Sequence, residues 1–218
     1  FIYQYVILGS SQSPEMFIYG NELVRSQAQY FLFQYSVTPC EIFGLCNPVP
    51  TSGPPVLLTL FTSIFLHGSI LHLLGNMWYL WVFGDNIEAA MGRLRYILFY
   101  LVGGLAATFA QLVIAPDSFI PMVGASGAIA AVLGGYLVLY PKARVLTLFF
   151  FVIFVQLVRL PAAFLLCFWF LLQVLSSLMG VGSQIGGGVA YMAHIGGFIA
   201  GALLIRYFAR DQREYGWD

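Results

Sequence analysis

The chain has 218 residues, of which nine are Lys or Arg and nine are Asp or Glu, and 60% of it is hydrophobic. Charged residues make up 8%, against about 25% in a soluble domain, and the apolar residues run in long blocks, so the composition describes an all-α polytopic membrane protein. Zero net charge with scattered basic residues argues against a nucleic-acid partner, and three cysteines do not make a disulfide framework.

The opening FIYQYVIL, residues 1–8, is too short to cross a bilayer and reads as the remnant of a first transmembrane segment; a chain that starts at Phe reads as a fragment or a trimmed product. Residues 9–55 are mixed. Breaker-rich GSSQSPE and NPVPTSGPP flank amphipathic FIYGNELVRSQAQYFLFQYSV, which predicts an external loop lying on the membrane surface with short helices. Spans are then expected at Leu71–Phe83 (extending the apolar run from Val56), Tyr96–Ala115, Gly124–Tyr140, Ala162–Met179 and Ala193–Ala209, within a transmembrane domain of residues 56–209. The run Val145–Val158 is apolar enough to enter lipid but is bracketed by Arg144 and by Arg159 and Pro161. A shallow, interfacial or re-entrant piece fits it; as a short span it would reverse everything that follows.

Charge bias selects between these. If Arg93, Arg95, Lys142, Arg144, Arg159, Arg206, Arg210 and Arg213 all face the cytoplasm, the expected spans suffice when 145–158 does not cross, and 210–218 is a cytoplasmic tail. The spans at 71, 124 and 193 then all run from outside to inside. Each begins with polar chemistry: His72 and Asn76 in one, Ser126 in the second, His194 in the third. His72 and Asn76 are four apart and share a helix face, with His67 in the segment leading in. Ser126, Ala130 and Gly134 form an all-small face beside a second one of Gly127, Ala131 and Gly135, and Ala193, Gly197 and Gly201 repeat the device on the last helix. Such faces let helices approach closely in lipid, which predicts contact between these two helices and brings Ser126 to His194.

A single membrane serine ordinarily bonds back to its own helix, but two histidines and an asparagine at the same depth point to function. Ser and His together suggest nucleophilic acyl transfer, with His194 as base for Ser126. Asp85 and Glu88 lie at the cytoplasmic end and Asp117 in an outer loop, so a dyad is expected rather than a triad. His72, Asn76 and the Ser126 N–H are free to stabilise an oxyanion, and Gly124 and Gly127 let the backbone bend around that centre. A metal site is disfavoured, because the three histidines have no carboxylate at membrane depth. A transport path lacks an intramembrane charge or an obvious repeat pair.

These motifs closely resemble those of the rhomboid family of intramembrane serine proteases, from about Val56 to Ala209. The family's His, His and Asn pattern is similar to His67, His72 and Asn76 in FLHGSILHLLGN; its Gly-x-Ser-Gly to Gly124 through Gly127; its Ala-His-x-x-Gly-x-x-x-Gly to Ala193, His194, Gly197 and Gly201; and a Gly-x-x-x-Glu-x-x-x-Gly signature to Gly84, Glu88 and Gly92. Four motifs occur in the family order. The resemblance implies a rhomboid-like six-helix bundle with a truncated first helix, Ser126 as nucleophile, His194 as base, and His72 and Asn76 in the oxyanion region. It also implies membrane-protein substrates cut in or near their spans, with no metal and no organic cofactor, and makes 145–158 the approach to the fifth span. A catalytically silent relative that binds and sorts membrane proteins is the alternative.

Two departures stand out. Some members carry an aromatic residue four positions after the serine, stacked on the catalytic histidine, where this chain has Ala130; other groups must hold His194. Many carry a Trp-Arg pair in the first loop, and none occurs here. Glu88 is expected to be a buried structural carboxylate bonded to loop backbone, Arg93 or Arg95, with an ordinary interfacial ion pair as the alternative. Trp169, with Phe168 and Phe170, falls near the family's proposed substrate entrance, large aromatics facing lipid being the plainer reading. Residues Gly180–Gly188 read as a movable outer lid, and Cys40 and Cys46, six apart, are placed where an oxidising compartment would allow a small disulfide, the spacing leaving the pairing open. A compact form with few charges suggests a prokaryotic inner membrane, with the site near the external face.

Overall fold

The computed structural model describes residues 12–19, 22–47, 53–151, 154–180 and 189–210. The expected first-span remnant, nearly all of the expected lid and the tail after Arg210 lie outside the described residues. The chain opens with an antiparallel hairpin of β1 (Gln12–Tyr19) and β2 (Glu22–Ser26), then α1 (Gln27–Tyr35) and the single turn α2 (Pro39–Ile42). The first half of the amphipathic loop is thus a strand pair, where short helices were expected. Cys40 and Cys46 are joined by a disulfide.

Val56–Leu58, α3 (Thr59–Thr62) and Ser63–Phe65 form short helical turns leading to α4 (Ile70–Met91), at an angle of 76° to it. Ser69 starts α4 by accepting the His72 backbone N–H at 3.1 Å, which satisfies one of the donors a helix start leaves free. Gly92 alone connects α4 to α5 (Arg93–Ile114); its φ of +83° is one a side chain resists, and an added Cβ would strike the Arg210 guanidinium. After α6 (Ser126–Leu139) come β3 (Arg144–Phe151), β4 (Phe154–Pro161), α7 (Ala162–Leu178) and α8 (Tyr191–Phe208).

The helices α5 and α8 are each long and apolar enough to cross a membrane, and Val56–Phe65 with α4 make a bent third. The chain is a polytopic helical membrane bundle. At 14 residues α6 is only about 21 Å long, short of the roughly 30 Å hydrocarbon core and shorter than the expected span at Gly124–Tyr140. It can be short because it is enclosed: Ala128 through Tyr136 are buried without a break among the other helices. Irregular backbone at membrane depth is tolerated where protein surrounds it, and the loop entering α6 is tied down by Gly124 N–H to Ser63 C=O at 3.0 Å.

Small residues set the central contacts, as the sequence pattern required. A Cβ added at Gly134 would collide with the Phe198 carbonyl, one at Gly197 with the Gly127 carbonyl and one at Gly201 with the Ala131 carbonyl, so α6 and α8 touch backbone to backbone. Around this seam Phe83, Ile87 and Met91 of α4, Phe99 of α5, Leu133 of α6 and Phe198 and Ile205 of α8 form the core.

The ambiguous run 145–158 is an antiparallel hairpin. Arg144 pairs with Pro161, and the Ala162 N–H bonds the Ala143 carbonyl at 2.8 Å, so the chain returns to its point of departure without crossing. At this same end the Arg210 N–H bonds the Ala90 carbonyl (2.9 Å) and the Arg95 guanidinium reaches the Phe208 carbonyl (3.5 Å). The opposite end holds the N-termini of α4, α6 and α8.

Candidate active site

Three helix starts converge on a cavity of about 730 Å³, a size typical of ligand sites. His72 and Asn76 line it from α4, Ser126 from the first turn of α6, and His194 from the first turn of α8. Ser126 Oγ lies 2.8 Å from His194 Nε2, a hydrogen bond between residues 68 apart in sequence. The other ring nitrogen, Nδ1, lies 2.8 Å from Gln173 Oε1 of α7. Trp169 and Tyr191 flank the imidazole with ring centroids 5.9 and 6.5 Å away. The aromatic neighbour missing at Ala130 is therefore supplied by α7. Ala130 itself is fully buried against the core, and Trp169, Phe170 and Phe198 stack beside the site. Trp169 faces the cavity and not lipid alone, whereas Phe168 is left uncovered by protein.

His72 Nδ1 accepts the Gly68 N–H at 3.4 Å, which leaves Nε2 as the protonated nitrogen of the neutral ring. That Nε2 faces Gly124: a Cβ added there would sit 2.8 Å from both Nε2 and Cε1, and Gly124 has a φ of +122°. Gly124 is thus needed both for its backbone angle and for the space the imidazole takes. Asn76 is buried, and its Nδ2 has no hydrogen-bond partner among the described residues although it lines the cavity. The Ser126 N–H lies in the first turn of α6, where the helix leaves backbone donors free.

Other expected residues sit beside the site or away from it. His67 is buried edge-on against the His72 ring, centroids 5.3 Å apart, behind the cavity. Gly127, Gly197 and Gly201 belong to the α6–α8 seam. Glu88 lies on the last turn of α4, at the far end from the cavity; its carboxylate meets Arg93 at 3.5 Å and is part-exposed, the arginine more so. The Arg93 partner is as expected, and of the two readings the interfacial ion pair is the one seen; only the burial is corrected. Glu88 makes a solvent-screened ion pair of the kind that contributes little.

Sequence reasoning missed Gln173 and Gln111. Gln173 carried a signal: it is the one amide in the apolar helix AAFLLCFWFLLQVLSSL. Gln111 lines the cavity from α5, with its Oε1 buried and unpartnered among the described residues. Outside the helices, Val37 and Met122 pair backbone to backbone and the Cys40 N–H bonds the Ser118 carbonyl (3.1 Å). The disulfide loop thereby braces the segment Ser118–Val123, five of whose residues also line the cavity together with Pro39.

Fold and site together define a polytopic helical membrane domain with a serine and a histidine, from different helices, hydrogen-bonded in a cavity at one end. A profile of the rhomboid domain matches residues 54–211, and the chain belongs to the rhomboid family. It is 36% identical over 89 residues to presenilin-associated rhomboid-like protein A, mitochondrial, of Danio rerio, which covers 40% of this chain and 23% of that protein. Rhomboid protease GluP of Bacillus subtilis is 41% identical over 78 residues, 36% of this chain and 15% of that protein. RHOMBOID-like protein 4 of Arabidopsis thaliana is 30% identical over 165 residues, 72% of this chain and 35% of that protein. The chain spans a minor part of the length of each. Mitochondrial names stand beside a bacterial one among these relatives, so compactness alone gives no ground for a prokaryotic inner membrane.

Proposed function

We propose that this chain is an intramembrane serine endopeptidase that cuts membrane proteins in or near their transmembrane segments. The observation that carries the reading is the 2.8 Å contact between Ser126 Oγ and His194 Nε2 inside the cavity. In this mechanism His194 Nε2 takes the hydroxyl proton as Ser126 Oγ attacks a substrate carbonyl carbon. The oxyanion is met by His72 Nε2–H, Asn76 Nδ2 and the Ser126 N–H. The C–N bond then breaks, the leaving amine takes the proton from Nε2, and Ser126 is left as an ester. Water then attacks the ester carbonyl as it gives a proton to Nε2, and Nε2 passes that proton to Oγ as the acyl C–O bond breaks, which releases the acid and regenerates the hydroxyl.

The scissile carbonyl must leave its own helical hydrogen bond to be attacked, so the preferred substrate is a span that unwinds easily. The cavity wall of Tyr79, Met122, Ile129, Leu133 and Trp169 suits apolar side chains. No metal and no organic cofactor enters this chemistry. Among the described residues from α4 onward the cationic side chains lie at the end opposite the site, with Arg95 and Arg210 joined to the ends of α8 and α4 and the β3–β4 hairpin returning to Ala143; Arg25, in the first loop, is left on the other side. That supports a cytoplasmic C-terminus and an active site near the external face.

The test is a serine-directed fluorophosphonate probe with turnover of a model transmembrane substrate. Wild type should label and cleave, while Ser126→Ala and His194→Ala should lose turnover by at least about 10³-fold. A folded wild-type protein that neither labels nor cleaves would instead be a silent relative that binds membrane proteins.

A further inference from the structure

We infer that Gln173 is a positioning residue that sets the proton tautomer of His194, an inference resting on the endopeptidase reading for its kinetic consequences. Gln173 projects from α7, whose residues from Ala162 to Leu175 are otherwise apolar, where a carboxamide without hydrogen-bond partners is costly to bury. Its amide is satisfied at both ends. The Nε2 group donates to the Trp169 carbonyl one turn back (3.5 Å), and the Oε1 atom is left facing His194 Nδ1 at 2.8 Å.

A carboxamide oxygen can only accept, so Nδ1 must carry the imidazole proton. Nε2 then holds the lone pair and accepts the Ser126 hydroxyl proton across the 2.8 Å contact. With the amide reversed, the imidazole proton would move to Nε2 and His194 could not act as base. The orientation of one glutamine thus decides whether the dyad is competent. In a triad a carboxylate does this work; here a neutral amide does it, and no charge has to be buried at membrane depth. Trp169 and Tyr191 lie beside the ring at 5.9 and 6.5 Å, and its two nitrogens are engaged by Gln173 and Ser126.

The experiment uses the full chain in detergent or nanodiscs, with Gln173→Leu, Gln173→Asn and Gln173→Glu. For Gln173→Leu, kcat should fall about 10- to 100-fold while KM stays within about twofold, because the lost bond strengthens as the imidazolium forms. Gln173→Asn, one methylene too short, should behave like Leu. Gln173→Glu keeps an acceptor at the same reach and should recover most of the lost kcat. Independently, ¹⁵N spectra of histidine-labelled wild type, assigned with His194→Ala, should show Nδ1 protonated and Nε2 bare, and Gln173→Leu should blur that preference. Unchanged kcat in Gln173→Leu, a folded Gln173→Glu as slow as Leu, or a proton on His194 Nε2 in wild type would each overturn the inference. If wild type cleaves nothing, the endopeptidase reading fails alone, and the spectra still decide the tautomer.

Discussion

Gly124→Ala should slow catalysis without unfolding the protein. The added methyl must occupy a backbone with φ of +122°, a strain of about 1–3 kcal/mol, and it would sit 2.8 Å from His72 Nε2 and Cε1. Carbon and nitrogen in ordinary contact are roughly 3.4 Å or more apart, so the imidazole must retreat by about half an ångström or more. It can, because the atoms struck are the far end of a side chain whose Nδ1 is held, among the described residues, by a long 3.4 Å bond from Gly68. The retreat carries Nε2–H away from the position proposed for the oxyanion. Loss of a whole oxyanion donor costs about 10²–10³ in kcat, so a displaced one should cost about 10- to 100-fold. The assay is kcat on a transmembrane substrate in parallel with thermal unfolding, for Gly124→Ala, His72→Ala and the double variant. Because the methyl acts through His72, the double variant should be within about threefold of the slower single one. Full kcat in Gly124→Ala, or losses that multiply in the double variant, would refute the assignment of His72 and the role of this glycine.

Two other perturbations probe the frame. Gly201→Leu drives a side chain into the Ala131 carbonyl and should destabilise the bundle by about 3 kcal/mol or more and abolish probe labelling, whereas Leu203→Ala, two residues on and uncovered by protein, should stay within about 1 kcal/mol in the same thermal assay. In a Cys167→Ser background, single cysteines at Lys142 and Arg159 should react with an impermeant maleimide from one side of the membrane and a cysteine at Asp117 from the other. Labelling of 142 and 159 from opposite sides would mean that the intervening hairpin crosses.

Much of the fold is legible in local pattern. The small-residue faces Ser126, Ala130, Gly134 and Gly127, Ala131, Gly135 repeat at helical spacing, as do Gly197 and Gly201, and a face with no side-chain bulk lets helices close in lipid; which members meet the α8 backbone (Gly127, Ala131 and Gly134, from both faces) is decided by the packing. Spacing also places His72 and Asn76 on one face of α4. Where the sequence left the outcome open, local pattern was silent. The run VLTLFFFVIFVQLV has no polar alternation to mark strands, and an apolar stretch of that length does not distinguish helix from sheet. Its pairing is decided by Ala143 and Ala162 meeting at its base. Likewise Glu88 sits in a motif-like spacing, but it lies on the side of the last turn of α4 that is left part-exposed beside Arg93, while Ile87 and Met91 take the core side.

Composition and periodicity determined that this chain lives in a membrane and which helix faces carry no bulk, and the charge bias of the loops gave the helices of Ser126 and His194 the same direction. The first two are properties of residues within a few positions of one another. Only the tertiary structure decided that α6 ends after 14 residues, since its burial by the surrounding helices is what makes so short a helix tolerable. It alone decided what holds His194. Gln173 stands 21 residues away on another helix, and its oxygen meets Nδ1 because α7 and α8 pack through Trp169, Phe170 and Phe198. A hydrogen bond across two helices depends on their separation and rotation to within an ångström, and no run of sequence encodes that distance.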